Sequence, residues 1–553
     1  MNGKGERKDL MNNISRRTFV GSAIALPFVS GLSRKTFAAL QGPSIRYSAH
    51  TPQGKAMLKI YALAVRRMRD VSTIPETDPR SWTFQWYTHA VPLFRQLTDP
   101  NPGQGKATKQ SELLRVFSDP TSPNRALAAE MWSTCQNHFG GPDKDRFFLP
   151  WHRMYLYFFE QIVREVSGEA LFTLPYWNYS APGPDHGVLP IEFRSPNDPL
   201  YGSLYVEERK TEVNDGKPLD ANDHPGRSGG TLSLSSLKQC VYDRFGSIPG
   251  FCSDLDQKLH GNVHVAIGGP TDMGRIPFAA RDPIFWLHHC NIDRLWASWN
   301  KDPFNRNPGD PGFVSVPYVF ADGKGQRVKA AVGDFLETGG LGYQYDVLEP
   351  LPARDCDVPA GHIAIMPTLN STVGIAVPVT TFAASDISPV ANASIALERA
   401  VAPGKPSVSF PSQVKSLKSS RRIFLNLNDL RTDVQPGVRF QVFMDVPGSS
   451  SGAQNDERSF IGTIQFFSSH DSEMMSDMSE PMADHMAAQI KNTGKSVSFD
   501  ITQLVKDLDK SKLLNATPRI LIVPLGEPAP ESHPTIGEIK IIEQDAIVTG
   551  VSI

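Results

Sequence analysis

The stretch 255–299 does most to limit what this chain can fold into. It reads LDQKLHGNVHVAIGG and, three residues on, MGRIPFAARDPIFWLHHCNIDRLWASW. His260 and His264 are four apart, so on a helix both rings leave one face, with Cβ atoms roughly 5–6 Å apart. A second helical pattern starts after Asp282-Pro283, where proline suits the first turn. It carries His288 and His289, whose side chains point about 100° apart, so one metal takes only one of the two rings. His288 shares its stripe with Ile284, Ile292, Leu295 and Trp299, an apolar packing face. His289 shares its stripe with Phe285, Asp293 and Trp296. Asp293, one turn on, is placed to hold an imidazole or a neighbouring arginine. His260, His264 and His289 are therefore the expected three-imidazole metal site. Ordinary helix packing is the competing account, because a lone histidine pair at this spacing is common without any metal.

The rest of the chain sets the frame. At 553 residues it has room for two or three domains. A formal net charge of -2 argues against nucleic acid as a partner. Five cysteines in so long a chain are not a disulfide scaffold. Cys240 and Cys252 flank a Gly/Pro loop, and either pair in an exported protein or stay separate buried thiols. Ser15-Arg16-Arg17-Thr18-Phe19 leads into an apolar run and then Ala38 and Ala39, which resembles a twin-arginine export signal. The apolar run is too short for a stable membrane span. The expected location is periplasmic or secreted, with no membrane contact beyond export.

The two histidine segments resemble the second copper site of type-3 copper proteins, the tyrosinases and polyphenol (catechol) oxidases. The family pattern is an HxxxH helix followed by DPxFxxHHxxxDRxW, matched here by His260–His264 and by Asp282–Trp296. FLPWHRMYLYFFE, with His152, resembles the family's first-copper helix. Without that motif, His152 would read as a structural histidine on an apolar helix. His138, in CQNHF, and His89, in FQWYTHA, complete the set the resemblance implies. Six neutral imidazoles suit copper that cycles between Cu(I) and Cu(II), and nothing like HExxH appears. The resemblance implies two copper ions, O2 as co-substrate and a small phenolic substrate, with catechols oxidised to o-quinones.

Finer roles follow from the same resemblance. Ile276 takes the place of the gate residue over the second copper. Asp256 takes the place of the acidic residue that holds a water. Gly261 falls where some relatives carry an Asn that helps deprotonate phenols, and glycine has no side chain to do so. Strong diphenolase and weak monophenolase activity are expected. The plant-type His–Cys thioether cannot form, since its position is Leu93. Cys135, three residues before His138, stands near the place of the fungal one.

A mainly α catalytic domain, a four-helix bundle around the copper site, is expected to precede a β-rich domain, either a sandwich or a small barrel. The expected divisions are a signal at 1–38, the copper domain at 39–302, a region at 303–352 resembling the "DWL" part of plant polyphenol oxidases, a connector at 353–414, and a "KFDV"-like β domain at 415–553. In plant-type relatives that last domain covers the copper entrance. Lys415, Lys418, Arg421 and Arg422 are then a natural nicking site. The Met-rich run His470–Met486 reads as a flexible loop or an auxiliary copper(I) site. Two other classes compete: an oxygen carrier with the same six histidines, and a non-catalytic sugar- or matrix-binding β protein. The second leaves the histidine motifs unexplained.

Overall fold

The computed structural model describes residues 43–91, 109–135, 145–223, 230–269, 272–353, 377–382, 394–396, 409–447, 459–467 and 495–545. The export signal, His138, Leu93 and the Met-rich run lie outside them. Among the described residues, no helix is long and apolar enough to cross a membrane.

Helix α1 (Pro52–Arg69) begins where Thr51 accepts a hydrogen bond from Gly54 N at 3.0 Å, with proline in the first turn. Helix α2 (Trp82–His89) is capped the same way by Ser81, which accepts from Phe84 N at 3.1 Å. Helix α3 (Phe148–Ser167) carries Pro150 in its first turn and ends at Gly168, whose φ of 78° is the left-handed conformation that glycine tolerates. Helices α4 (Gly261–Gly268), α5 (Ile276–Ala279) and α6 (Ile284–Trp299) follow. Both α1 and α6 pack on α3. The start of α6 is fixed by Asp282, which accepts from Ile284 N at 3.0 Å and forms a fully buried two-point ion pair with Arg209. This gives the Asp-Pro of the motif a physical job: it starts the helix that carries His288 and His289.

Asp293 answers the choice left open by its stripe. It holds arginines. Its carboxylate accepts from Arg153 Nε at 2.5 Å, Arg46 Nη1 at 3.2 Å, Tyr343 OH at 2.6 Å and Tyr345 OH at 2.5 Å. Arg46 sits in strand β1 (Ser44–Arg46), which pairs in parallel with β4 (Tyr343–Tyr345). Between them, the 303–352 region contributes the hairpin of β2 (Pro317–Ala321) and β3 (Arg327–Ala331). The start of the described chain and the end of that region thus meet at one buried carboxylate.

The C-terminal half is two four-stranded antiparallel sheets, not a closed barrel. One runs β10 (Lys495–Asp500), β7 (Arg421–Arg431), β12 (Thr535–Asp545), β5 (Val377–Phe382). The other runs β6 (Ser394–Ala396), β11 (Arg519–Pro524), β8 (Phe440–Met444), β9 (Phe460–Ile464). Inward residues such as Leu425, Leu427, Val442, Ile464, Ile520 and Ile541 form their shared core, separate from that of the helices. The connector therefore supplies an edge strand to each sheet. The basic cluster is only partly a linker. Lys415 and Lys418 are exposed, but Arg421 and Arg422 lie in β7, and Arg421 pairs with Glu543 at 2.7 Å. The Cys240–Cys252 pair does not form: Cys252 is a free buried thiol, while Cys240 is disulfide-bonded to a partner outside the described residues.

Polar contacts tie the two halves together. Ser247 is the focus: its carbonyl accepts from Ser498 Oγ at 2.6 Å, its hydroxyl from Asn426 Nδ2 at 3.0 Å, and its amide donates to Gln544 Oε1 at 2.8 Å.

Candidate metal centre

Two clusters of ligand atoms lie side by side in the helical half. His260, His264, His288 and His289 form one, and His89, Cys135 and His152 the other, with the candidate atoms of each within 4.8 Å of one another. All seven residues are buried. The clusters touch, because the His152 and His289 rings stack with centroids 4.1 Å apart and planes within 13°. Phe148 and Phe285 wall the space. Phe148 lies 4.6 Å from the His260 ring and 4.8 Å from His152. Phe285 lies 4.1 Å from His289 and 5.0 Å from His89.

The hydrogen bonds decide which nitrogen faces inward. His89 Nδ1 donates to Ile276 O at 3.1 Å, His152 Nδ1 to Phe148 O at 2.9 Å, and His264 Nδ1 to Met273 O at 2.8 Å. His260 Nδ1 lies 3.3 Å from Asp256 O and 2.9 Å from the Asp256 carboxylate. A carbonyl on Nδ1 fixes the tautomer and leaves the Nε2 lone pair for a metal. His264 Nε2 lies 3.4 Å from His289 Nε2, so ring nitrogens from two helices converge on one point. Burial holds His89 and His264 at about 3, far below the ordinary imidazole range. Burial, then the neighbouring rings, also depresses His152 and His289. Neutral imidazoles with fixed tautomers are what a copper site requires.

The expected site residues fall as follows. His89 and His152 come together, and so do His260, His264 and His289. Ile276 reaches the centre through its carbonyl, which orients His89. Asp256 lies in a π-helical turn (Asp256–His260) just before α4, a local widening that recurs at functional sites. Its carboxyl sits on the outer nitrogen of His260, and burial raises its affinity for a proton. Gly261 lies under the β domain: a Cβ there would come 2.6 Å from Gln465 Cδ and closer still to its Nε2.

The structure adds three particulars to the sequence expectations. His288 belongs to the second cluster. Cys135 Sγ lies 3.8 Å from His152 Nε2. The segment after β9 reaches the centre: Phe467 stacks on His264 with centroids 4.3 Å apart and planes within 17°. Gln465 holds that segment by donating from Nε2 to Gln257 O at 2.9 Å and accepting from Phe467 N at 2.5 Å.

Comparison with known proteins agrees with this geometry. A family model described as the common central domain of tyrosinase matches residues 79–302. Tyrosinase HcTyr1 of Hahella sp. (strain CCB-MM4) is 34% identical over 352 residues, covering 57% of this chain and 67% of that protein. The chain belongs to the tyrosinase and polyphenol oxidase family of type-3 copper proteins. Other relatives of this tyrosinase-family chain match over less of their length. (+)-Larreatricin hydroxylase of Larrea tridentata is 30% identical over 36% of this chain and 38% of its own. Residues 387–544 match a domain of unknown function. The fold extends further than the sequence match. The structure of latent apple tyrosinase superposes with a TM-score of 0.53 at 20% identity, over 91% of this chain and 98% of that one. A latent aurone synthase gives 0.54 at 18%, over 92% and 91%.

Proposed function

We propose that this chain is an exported copper oxidase of o-diphenols whose own β domain shields the site. The observation that carries this reading is the ring of Phe467 lying on His264 beside two touching clusters of buried imidazoles.

In this reading His89, His138 and His152 hold one copper, and His260, His264 and His289 the other. When bound, the copper pair lets two o-diphenols, each giving up two electrons and two protons, reduce one O2 to two waters. The protein's own part is positional. The carbonyls of Ile276, Phe148 and Met273 keep each Nε2 aimed inward, and Asp256 does the same for His260. Phe148 and Phe285 exclude water from the space between the rings. A phenolic ring would take the face of His264 that Phe467 now covers. Ile276 stands in the gate position, and its small side chain leaves a wide entrance. Gly261 offers no group to orient a proton-accepting water, which favours diphenols over monophenols. Covering the centre inhibits by exclusion, and an intramolecular cover gains from high effective concentration.

The test is copper analysis together with catechol-dependent oxygen uptake, before and after limited trypsin or mild sodium dodecyl sulfate. Two coppers per chain are expected, and opening should raise kcat/KM at least about tenfold, equivalent to about 1.4 kcal/mol in barrier. Copper-loaded, opened protein that consumes no oxygen with catechol would leave the oxygen-carrier reading in its place.

A further inference from the structure

His288 has no assigned task in a three-imidazole site, yet it is not placed like a packing residue. Its ring is fully buried, and neither nitrogen makes a hydrogen bond among the described residues. The His260 carbonyl lies near enough to favour a proton on the ring, without hydrogen-bond geometry. A buried polar group left unbonded costs about 1–3 kcal/mol, and a leucine or phenylalanine at this point would avoid that cost. The ring faces the site, not the apolar stripe expected from helical spacing. It lies parallel to His260 within 9°, with centroids 5.3 Å apart, and 4.9 Å from His264. Its ligand atom falls within 4.8 Å of those of His260, His264 and His289. Four imidazoles therefore surround one metal position, and three suffice to hold a metal that must keep an open place for its reactants.

We infer that His288 is a fourth, exchangeable ligand of the second copper position, one that takes the incoming ion and passes it to His260, His264 and His289. This inference rests on the copper reading above. The step is ligand exchange alone: one Cu(I)–N bond forms as another breaks, between neutral imidazoles, with no electron or proton transferred. Copper(I) accepts low and changing coordination numbers, so a ligand that binds on arrival and then lets go lowers the barrier to filling a closed site. The same ligand should also ease departure.

The experiment uses the full-length apo-protein and copper(I) supplied as its acetonitrile complex. Filling of the second copper position is followed by stopped flow, and loss of copper to a bicinchoninate chelator is followed separately. His288→Phe should end with two coppers per chain but fill and release the second at least about tenfold more slowly. His288→Gln, closer in polarity, serves if the phenylalanine variant does not give the parent's near-ultraviolet circular dichroism. Parental loading and release rates would overturn the assignment. So would a final content of one copper per chain, which would make His288 an obligatory ligand. Catechol oxidation by the unmutated protein tests the oxidase reading independently, so failure of one is distinguishable from failure of the other.

Discussion

Substituting Gly261 by alanine adds one methyl group at the junction of the copper centre and the β domain. The added carbon would stand 2.6 Å from Gln465 Cδ, whereas ordinary contact begins near 3.4 Å. Helix α4 carries His264, and its backbone is held by the packing around it, so the side chain that must yield is Gln465. That side chain is fully buried and makes two hydrogen bonds, to Gln257 O and from Phe467 N. Two bonds at about 0.5–1.5 kcal/mol each, plus part of the penalty for any group left unsatisfied, amount to roughly 2–4 kcal/mol. All of it falls on the covered state, because the opened state has no Gln465 beside residue 261. At about 1.4 kcal/mol per factor of ten, the covered population should fall by roughly 30- to 1000-fold relative to the open one. The assay is catechol-dependent oxygen uptake at matched copper content, expressed as the ratio of activity after trypsin to activity before. For the Gly261→Ala protein this ratio should approach one. Gln465→Ala should lower the ratio as well, and in that background Gly261→Ala should add less than about 0.5 kcal/mol, because the clash is gone. Full latency in Gly261→Ala, or additive effects in the double variant, would refute the claim that Gln465 in the glycine notch holds the cover.

Other outcomes follow from the same coordinates. Asp293→Asn leaves Arg153 buried without its charge partner and Arg46 with Glu160 alone, and should cost about 3–5 kcal/mol in denaturant unfolding; an unchanged midpoint would contradict the network. The apo-protein should be acid-labile. His89 and His264 titrate at about 3 when folded and near 6.5 when unfolded, so the unfolded chain binds more protons between those values. Stability is full above pH 6.5 and falls as the pH drops towards 3, by up to about 5 kcal/mol per ring. A melting temperature flat from pH 7 to 4.5 would contradict this. His289→Ala should lose the second copper and all oxidase activity, whereas His288→Ala should retain copper; the reverse order would exchange their roles. Tyramine should be turned over far more slowly than the matching catechol, and equal rates would show that Gly261 does not limit monophenol chemistry.

The parts of this structure legible in the sequence are those set by local spacing. Asp282-Pro283 begins a helix because the aspartate accepts from a backbone amide at the helix start and proline needs no amide partner there, and the four-residue step of His260 and His264 puts two rings together. Asp293 was legible as a second-layer residue but not as the partner of Arg46, since that pairing joins residues 247 positions apart. Helical spacing alone points His288 to packing, because an ideal helix sets it about 100° from His289. The structure brings both rings to one space, where the facing α4 segment supplies neighbours on either side. Phe467 and Gln465 carried no signal at all. FIGTIQFF reads as any buried strand, and its last residues reach the histidine clusters through long-range docking, with Gln465 bonded to Gln257 208 positions away.

The parallel pairing of β1 with β4 has a consequence for how the protein is made. Arg46 leaves the ribosome early, and its partner Tyr345 follows 299 residues later. At about 5–20 residues per second, that is a wait of some 15–60 s, during which the catalytic half cannot close around Asp293. A chain stopped at 302, where the matched central domain ends, would contain every proposed copper ligand and still lack the strand that completes this anchor. The smallest self-sufficient oxidase should therefore run to about Val347. In that order of events, the metal site can be enclosed only after translation has passed that point.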